Sequence, residues 1–352
     1  MSAHPNNFDF VRLVAASLVI WGHAYPLLDE PGLPAFMGSS IHTLAVKVFF
    51  VVSGYLIVAS WVRDPDPWRY TMKRGLRILP ALFVVVMLSA FVLGPLVTTL
   101  SLGDYFSSPV LISYFKNILL NIRYFLPGVF DGNIYPSAVN GSLWTLPVEA
   151  TMYFFVLLLG VATLWSSQQF FKFGWLVLTL VFLTTVAVRT FFLPELFQGL
   201  IVQGMLVTAF LDVTPYFMVG GCLFLFSRVI PQSLPVALVL VAGSYLLQGT
   251  FAAFSLLNIV ILSYAVVAFG NSSTPFIRRA GRFGDMSYGV YLYGFPVAQT
   301  LSWAFGRDMP FVAHILWTLV ISLGFAFTSW HLVEKRALSL KGVFSRSRQP
   351  AN

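Results

Sequence analysis

Apolar residues occur in long runs along the whole chain, separated by short polar or basic stretches. Each run is about 17 to 25 residues long, the length that an α-helix needs to cross the hydrocarbon core of a bilayer. The pattern therefore predicts an all-α, polytopic integral membrane protein with about ten transmembrane helices. The predicted spans are residues 8–28, 42–62, 77–100, 143–164, 172–192, 213–229, 234–249, 251–270, 286–305 and 312–333.

Composition supports this fold class. Of the 352 residues, 58% are hydrophobic and only 10% are charged, and the mean hydropathy is +0.82. A soluble protein of this length would have to bury nearly every residue of these runs, which the scaling of surface with volume does not allow. The single cysteine, Cys222, excludes an intramolecular disulfide and a zinc cluster built on cysteines.

The distribution of positive charge predicts the orientation in the membrane. Most of the 21 Lys and Arg residues lie in the loops after even-numbered spans and in the C-terminal segment. The opposite loops hold only Lys116, Arg123 and Arg307. The positive-inside rule then assigns both termini to the cytoplasm. Because topology accounts for the net charge of +8, we expect no nucleic-acid partner.

Two regions outside the spans are distinctive. We expect a membrane-embedded domain over residues 1–335 and a basic cytoplasmic tail over 336–352, where positive charge favours contact with anionic lipid. The longest loop, about 101–142, lies on the outer side and mixes aromatic residues with Gly, Pro and Asn. It is interpreted either as a partly re-entrant or interfacial substrate loop or as an amphipathic cover on the outer leaflet.

The first span carries two ionisable residues, Arg12 and His23. Eleven residues of helix give about three turns and about 16 Å of rise, so the two side chains share one face at different depths. Ionisable groups within a span cost free energy and indicate function. Two structural alternatives remain open, in which Arg12 extends to the interface and His23 bonds to a neighbouring helix. Asp9 precedes Arg12 by one turn and can pair with it.

Two further sites complete the candidate chemistry. Glu149 lies near the outer end of the fourth span, at a depth comparable to that of His23. A histidine oriented by a carboxylate is the arrangement of a general base that accepts a hydroxyl proton. On the cytoplasmic side, Arg74 and Arg77 share a helical face and match phosphate bidentately, although ordinary loop charge is the alternative.

Five segments in order along the chain resemble the acyltransferase-3 family of integral membrane O-acyltransferases, in its stand-alone form. The likeness covers about residues 6–335. In one departure, Gly294 occupies a position where many relatives have histidine, which puts a second site histidine in doubt. The segments are Arg12 with His23, "VFFVVSGYLI" at 48–57, Arg74 with Arg77, "GSLWTLPVE" at 141–149 and "DMSYGVYLYGFPV" at 285–297.

The resemblance implies an enzyme of the bacterial cytoplasmic (inner) membrane. Such an enzyme would move an acyl group, usually acetyl, from cytoplasmic acyl-coenzyme A to a hydroxyl of an extracytoplasmic glycan. The expected partners are therefore acyl-CoA, a carbohydrate acceptor and the lipid bilayer. We expect no permanently bound cofactor and no metal, because acetyl-CoA or another acyl-CoA is a co-substrate.

Residue roles follow from matching positions and from neighbourhood in the sequence. The family motifs imply catalytic roles for Arg12, His23 and Glu149, and donor binding by Arg74 and Arg77. Proximity to these residues suggests donor-side roles for two more, Asp9 and Ser53, with residues 285–291 completing that site. Proximity to Glu149 suggests acceptor binding by Ser142, Trp144 and Tyr153.

Several alternatives remain open at this point. Transfer is either direct or passes through an acyl-histidine intermediate. The competing function is a secondary transporter or exporter of a glycan-related small molecule, which broken segments such as "VTPYFMVGG" would suit. Against it, the sequence has no two halves with corresponding broken segments. The histidines His42, His314 and His331 are expected to be interfacial or structural.

Overall fold

The computed structural model describes residues 6–246 and 254–341, and helices occupy all ten predicted spans in that part of the chain. The prediction of an all-α, polytopic membrane protein is confirmed. Residues 251–253 of the eighth predicted span lie outside the described residues. The main helices are α1 (Phe8–Leu28), α2 (Ile41–Arg63), α3 (Pro67–Leu88), α4 (Thr145–Ala162), α5 (Gln168–Phe191), α6 (Val207–Leu225), α7 (Leu234–Leu246), α8 (Phe254–Asn271), α9 (Ser287–Phe305) and α10 (Phe311–Ser329).

Among the described residues, seven helices are long and apolar enough to cross a membrane: α1 to α6 and α10. Two of them continue beyond their α-helical part: α3 runs on to Val97, and α10 runs on to Ser339. Helices α7 and α8 are shorter apolar helices. Helix α9 has 19 residues but carries Tyr, Ser and Gln, and most of its side chains are buried. Its polar groups are therefore satisfied inside the protein.

Helix α3 begins ten residues before the predicted span, at Pro67. The basic residues from Arg69 to Arg77 therefore lie on α3. The shared helical face of Arg74 and Arg77 is confirmed, whereas counting Arg69 and Lys73 with a loop was wrong. Proline is favourable in the first helical turn, where its missing N–H costs nothing. The apolar run predicts only the part of the helix that can lie in lipid, whereas long basic side chains are tolerated on the preceding turns because they can extend to an interface.

The segment that follows α10 also differs from the predicted tail. A π-helical turn, Trp330–Glu334, follows α10, and a further helical segment covers Lys335–Ser339. The first residues of the predicted tail 336–352 are thus helical. Residues 342–352 lie outside the described part of the chain.

Two short β-hairpins precede α2 and α6, and the apolar pattern did not predict them. Strands of two residues are too short to show an alternating pattern. In each hairpin both turn residues have positive φ, as a type I′ turn requires: 52° and 73° at Met37 and Gly38, and 52° and 78° at Gln203 and Gly204. The antiparallel pairs are β1 (Ala35–Phe36) with β2 (Ser39–Ser40), and β3 (Ile201–Val202) with β4 (Met205–Leu206).

The chain forms two compact units. Unit 1 contains Met1–Ala15, Pro34–Pro67 and Val148–Arg282, and unit 2 contains Ala16–Leu33, Trp68–Pro147 and Phe283–Asn352. The predicted division into a membrane domain, 1–335, and a tail, 336–352, stays a prediction.

Within unit 1, helices α2 and α6 approach backbone to backbone. A Cβ atom at Gly54 would lie 1.9 Å from the carbonyl oxygen of Phe217, and one at Gly220 would lie 2.4 Å from the carbonyl oxygen of Val51. Small residues allow such contacts between membrane helices. The close contact fixes the position of Ser53, next to Gly54.

Within unit 2, buried amide side chains hold the long loop between α3 and α4. The Nε2 atom of Gln299 donates to the carbonyl oxygens of Tyr135, at 2.9 Å, and Ala138, at 2.7 Å. Its Oε1 atom accepts from Asn133 at 2.9 Å. Irregular backbone needs such partners because buried unpaired carbonyls cost free energy. The position of this loop relative to the outer leaflet stays a prediction.

Candidate active site

The N-terminal end of α1 is fixed in unit 1. The Nη2 atom of Arg12 donates to Asp9 Oδ1 at 2.5 Å, so the expected pairing across one turn is confirmed. The fully buried Asn7 just before the helix donates to the hydroxyls of Ser272, at 2.8 Å, and Thr274, at 2.9 Å. These bonds tie the start of α1 to the chain that follows α8. Arg12 is therefore held by its own helix, and its catalytic role stays a prediction.

Three residues that the sequence assigned to three different roles meet in unit 1. The Ser53 hydroxyl on α2 donates to Glu149 Oε1 on α4 at 3.0 Å. The Tyr153 hydroxyl, one turn further along α4, donates to the same oxygen at 2.5 Å. We call these three residues the carboxylate cluster. Their closeness is a finding, whereas the donor-binding role of Ser53 and the acceptor-binding role of Tyr153 stay predictions.

The carboxylate cluster has the geometry for proton transfer. An ionised carboxylate is an acceptor only, so two hydroxyl donors on one oxygen fix its orientation. Bonds to an ionised group are stronger than those between neutral groups. A base within hydrogen-bond distance of a hydroxyl can take up its proton. Glu149 is thus a positioned carboxylate whose second oxygen takes no part in these two bonds.

His23 lies on α1, in the part of that helix that belongs to unit 2. Its ring packs edge-on against Phe295 of α9, with ring centroids 5.3 Å apart and an interplanar angle of 80°. Phe295 also contacts Tyr135 edge-on, at 6.3 Å. A Cβ atom at Gly141 would lie 2.7 Å from the same phenyl ring. The GSLW segment and His23 therefore pack around one aromatic side chain.

Ser142 has a buried hydroxyl in this region. Its backbone N–H donates to Asn140 Oδ1 at 3.1 Å, and its carbonyl accepts from the Tyr291 hydroxyl at 2.7 Å. Its Oγ atom is buried without a hydrogen-bond partner among the residues that the structure describes. Such a hydroxyl costs about 1–3 kcal/mol unless a ligand or water satisfies it. This fits the predicted acceptor contact, which stays a prediction, as does that of the half-buried Trp144.

The predicted pairing of His23 with Glu149 also stays a prediction, because the two residues belong to different units.

The departure at Gly294 has a structural reason. A Cβ atom there would lie 2.8 Å from Ile20 Cγ1 on α1, so any side chain at this position requires the Ile20 side chain to shift. His314 is buried with its Nε2 atom 3.0 Å from the Ala298 carbonyl oxygen, which confirms its expected structural role.

Arg77 in unit 2 is bound by two carboxylates. Its Nη2 atom lies 2.6 Å from Asp285 Oδ2, and its Nη1 atom lies 3.3 Å from Glu334 Oε2. Ser287 donates to Asp285 at 2.6 Å, and Ser329 donates to Glu334 at 3.1 Å. This network joins α3 to the start of α9 and to the π-helical turn after α10. A phosphate would have to compete with both carboxylates for this guanidinium.

Arg74 has different surroundings, with its guanidinium carbon 5.8 Å from the centre of the Tyr70 ring. Three other basic residues of unit 2, Arg69, Lys73 and Lys341, line a small surface pocket together with Met72. Sequence reasoning named Arg74 and Arg77 but missed Glu334 and Lys341. The signal for Glu334 was a lone acidic residue in a basic segment, "VEKR".

A second ionic contact in unit 1 was also missed. Lys47 Nζ lies 3.0 Å from Asp212 Oδ1 and donates to Ser39 Oγ at 2.8 Å. It lies 5.3 Å from the centre of the Tyr216 ring. The lysine is buried, whereas the aspartate is partly exposed. The available signal was an isolated lysine inside the second predicted span.

The fold is that of an integral membrane protein, because its helices are long and apolar enough to span a membrane. Two of these helices carry the ionisable residues His23 and Glu149. The sequence matches the acyltransferase-3 family, described as an acyltransferase domain, over residues 6–331. The chain therefore belongs to this family, as its motifs led us to expect.

Similar proteins with assigned names span nearly the whole chain. An "O-acetyl transferase" of Shigella phage Sf6 is 29% identical over 348 residues, 96% of this chain and 97% of the relative. "Nodulation protein 10" of Rhizobium leguminosarum bv. viciae is 30% identical over 97% of this chain and 95% of its own length. "Peptidoglycan O-acetyltransferase OatA" of Listeria monocytogenes is 25% identical over 83% of this chain and 49% of its own length. No solved structure matches the chain.

Proposed function

We propose that this protein is a membrane O-acyltransferase that moves an acyl group, most simply acetyl, from cytoplasmic acyl-CoA to a hydroxyl of an extracytoplasmic glycan. The family match over residues 6–331 carries this proposal. Two relatives named as O-acetyltransferases favour an oxygen acceptor and an acetyl group. The proposed location is a bacterial cytoplasmic membrane, because this membrane lies between the compartments of the two substrates.

On the acceptor side, His23 is the proposed base, and Glu149 is the second proposed catalytic residue. The acceptor hydroxyl forms a new ester bond to the acyl carbon, and the thioester C–S bond breaks. The hydroxyl proton goes to His23, the thiolate leaves, and His23 passes that proton to the thiolate to give free CoA. In the variant with an acyl-histidine intermediate, an acyl–nitrogen bond to His23 forms as the C–S bond breaks and the CoA thiolate leaves. The acceptor hydroxyl then forms the ester bond as the acyl–nitrogen bond breaks, and the released imidazole takes up the hydroxyl proton.

On the donor side, Arg74 is the proposed contact to the CoA phosphates, because guanidinium groups bind phosphate oxygens bidentately. The two carboxylates at Arg77 support a different role for that arginine, in joining α3 to the start of α9 and to the turn after α10. Ser142, with its buried hydroxyl, and Trp144 are proposed to contact the acceptor. Arg12, fixed by Asp9, is proposed to lie on the route of the donor.

The test uses membranes that carry the wild-type protein or one of three variants, supplied with radiolabelled acetyl-CoA. His23→Ala and Glu149→Gln are expected to abolish incorporation of label into glycan. His331→Ala is the matched control, since this histidine lies in the turn after α10 and its Nδ1 atom is 2.9 Å from the Phe327 carbonyl oxygen. Mass spectrometry of surface glycans would then identify the acceptor by the loss of one acyl mass.

The family membership favours the enzyme over a transporter. The two functions also differ in their products, because a transporter moves its substrate unchanged. Suppose that glycan crosses the membrane of proteoliposomes unchanged and that no incorporation of labelled acetyl into glycan depends on His23. That result would contradict the proposed transfer.

A further inference from the structure

A group of basic side chains lies where α3 begins and where the chain continues past α10, within unit 2. Arg69 and Lys73 are four residues apart on α3 and therefore share one helical face. Lys341 comes from the segment that follows the last helix. These three side chains line one small surface pocket, with Met72 between them. We call Arg69, Lys73 and Lys341 the basic pocket.

Lys341 lies in positively charged surroundings. Desolvation, together with the neighbouring charges of Arg74, Arg77 and Lys73, lowers the pKa of Lys341 to about 8. Within the described part of the chain, no carboxylate forms an ion pair with Lys341. Like charges that converge on a partly buried site repel each other, and a bound anion relieves that repulsion.

From this geometry, we infer that the basic pocket binds a phosphate group, in addition to the contact proposed for Arg74. The guanidinium of Arg69 and the ammonium groups of Lys73 and Lys341 all donate charge-assisted hydrogen bonds, which phosphate oxygens accept. A carboxylate ligand is less well matched because it has fewer oxygens and a smaller charge than a phosphate monoester.

Two molecules present this chemistry at the cytoplasmic surface. One is the acyl-CoA donor, and assigning the phosphate to it rests on the proposed function. The other is the headgroup of an anionic phospholipid. The donor is favoured because Lys341 lies near Arg74, the proposed contact to the CoA phosphates.

The experiment uses the full chain in nanodiscs of phosphatidylcholine and measures CoA affinity by calorimetry. Lys341→Ala and Lys73→Ala are each expected to weaken CoA binding by about tenfold, the effect of losing one charged hydrogen bond. Lys341→Arg keeps the charge and is expected to retain binding. Lys335→Ala is the matched control, an exposed lysine six residues earlier in the same segment.

A second arm measures retention of phosphatidylglycerol by native mass spectrometry in the same variants. Loss of CoA affinity in both alanine variants identifies the phosphate as the donor's. Unchanged CoA affinity with less retained phosphatidylglycerol identifies a lipid headgroup and still supports the site. If neither CoA affinity nor lipid retention differs from that of Lys335→Ala, the basic pocket is not a phosphate site.

The two proposals fail in different ways. A wild-type protein that neither binds CoA nor transfers acetyl would contradict the proposed function. The lipid arm would still decide whether the basic pocket binds phosphate. Normal acetyl transfer with unaltered affinities in both alanine variants would overturn only the pocket.

Discussion

Tyr153 donates its hydroxyl to Glu149 one turn earlier on α4, at 2.5 Å. The same carboxylate oxygen accepts from Ser53 on α2. A catalytic carboxylate needs a fixed orientation, and neighbouring groups that hold it contribute to the rate by positioning. The carboxylate cluster therefore defines two residues whose removal should affect catalysis without removing the acid itself.

Tyr153→Phe is expected to lower kcat by about tenfold, because it removes one hydrogen bond to a charged group and keeps the ring. Acetyl transfer from labelled acetyl-CoA to glycan measures this loss. The control is Tyr245→Phe on α7, where the side chain is exposed and its ring stacks on Phe36. Equal turnover in the two variants would show that the bond to Glu149 does not matter for catalysis.

Arg77→Gln is expected to destabilise the protein by about 3–5 kcal/mol, because it removes the cation that pairs with Asp285 and with the buried Glu334. Thermal unfolding in detergent measures the change. Adding Asp285→Asn to the variant should restore part of the lost stability, since one uncompensated charge disappears. Arg279→Ala, at an exposed position, serves as control. An unfolding temperature equal to that of wild type would refute the structural role of Arg77.

Gly54→Ala is expected to destabilise the protein by about 1–3 kcal/mol, the usual cost of overpacking. The new methyl group would meet the backbone carbonyl of Phe217, which cannot move without shifting α6. Gly324→Ala on α10 is the matched control, because nothing lies within 4 Å of its added Cβ. Thermal unfolding again gives the measurement. Equal unfolding temperatures of the two variants would show that the backbones of α2 and α6 do not pack closely at Gly54.

Anion binding at the basic pocket is expected to weaken as pH rises above about 8. Lys341 has its pKa lowered to about 8, and a bound phosphate would raise it again because it favours the charged lysine. Affinity is therefore fully present below pH 8 and falls above it, in a range where the phosphate is already fully ionised. The charged groups near Lys341 are Lys73, Arg74 and Arg77 on α3, together with Arg69, which lines the same pocket.

Calorimetry with CoA at pH 7, 8 and 9 tests this dependence. Lys341→Arg should remove the step near pH 8, because a guanidinium stays protonated throughout. An identical pH profile in wild type and Lys341→Arg would assign the dependence to another group.

The sequence by itself determined the class of the protein and its helices. A run of about 20 apolar residues has few alternatives to a membrane helix, because the bilayer requires every backbone polar group to be bonded within the helix. Contacts within one helix were also predictable, and Asp9 with Arg12 is an example, since three residues of spacing places them on adjacent turns. The motifs around His23 and Glu149 were enough to predict the acyltransferase-3 family.

Only the tertiary structure decided which side chains from different helices meet. Ser53 and Glu149 are 96 positions apart, and Arg77 and Glu334 are 257 apart. Lipid and protein interior are both apolar, so a hydrophobic pattern does not reveal which face of a membrane helix contacts which neighbour. Close packing at Gly54 and paired charges at Arg77 determine which helix faces are in contact. Candidate residues that are far apart in the sequence therefore meet in a carboxylate cluster and in a basic pocket.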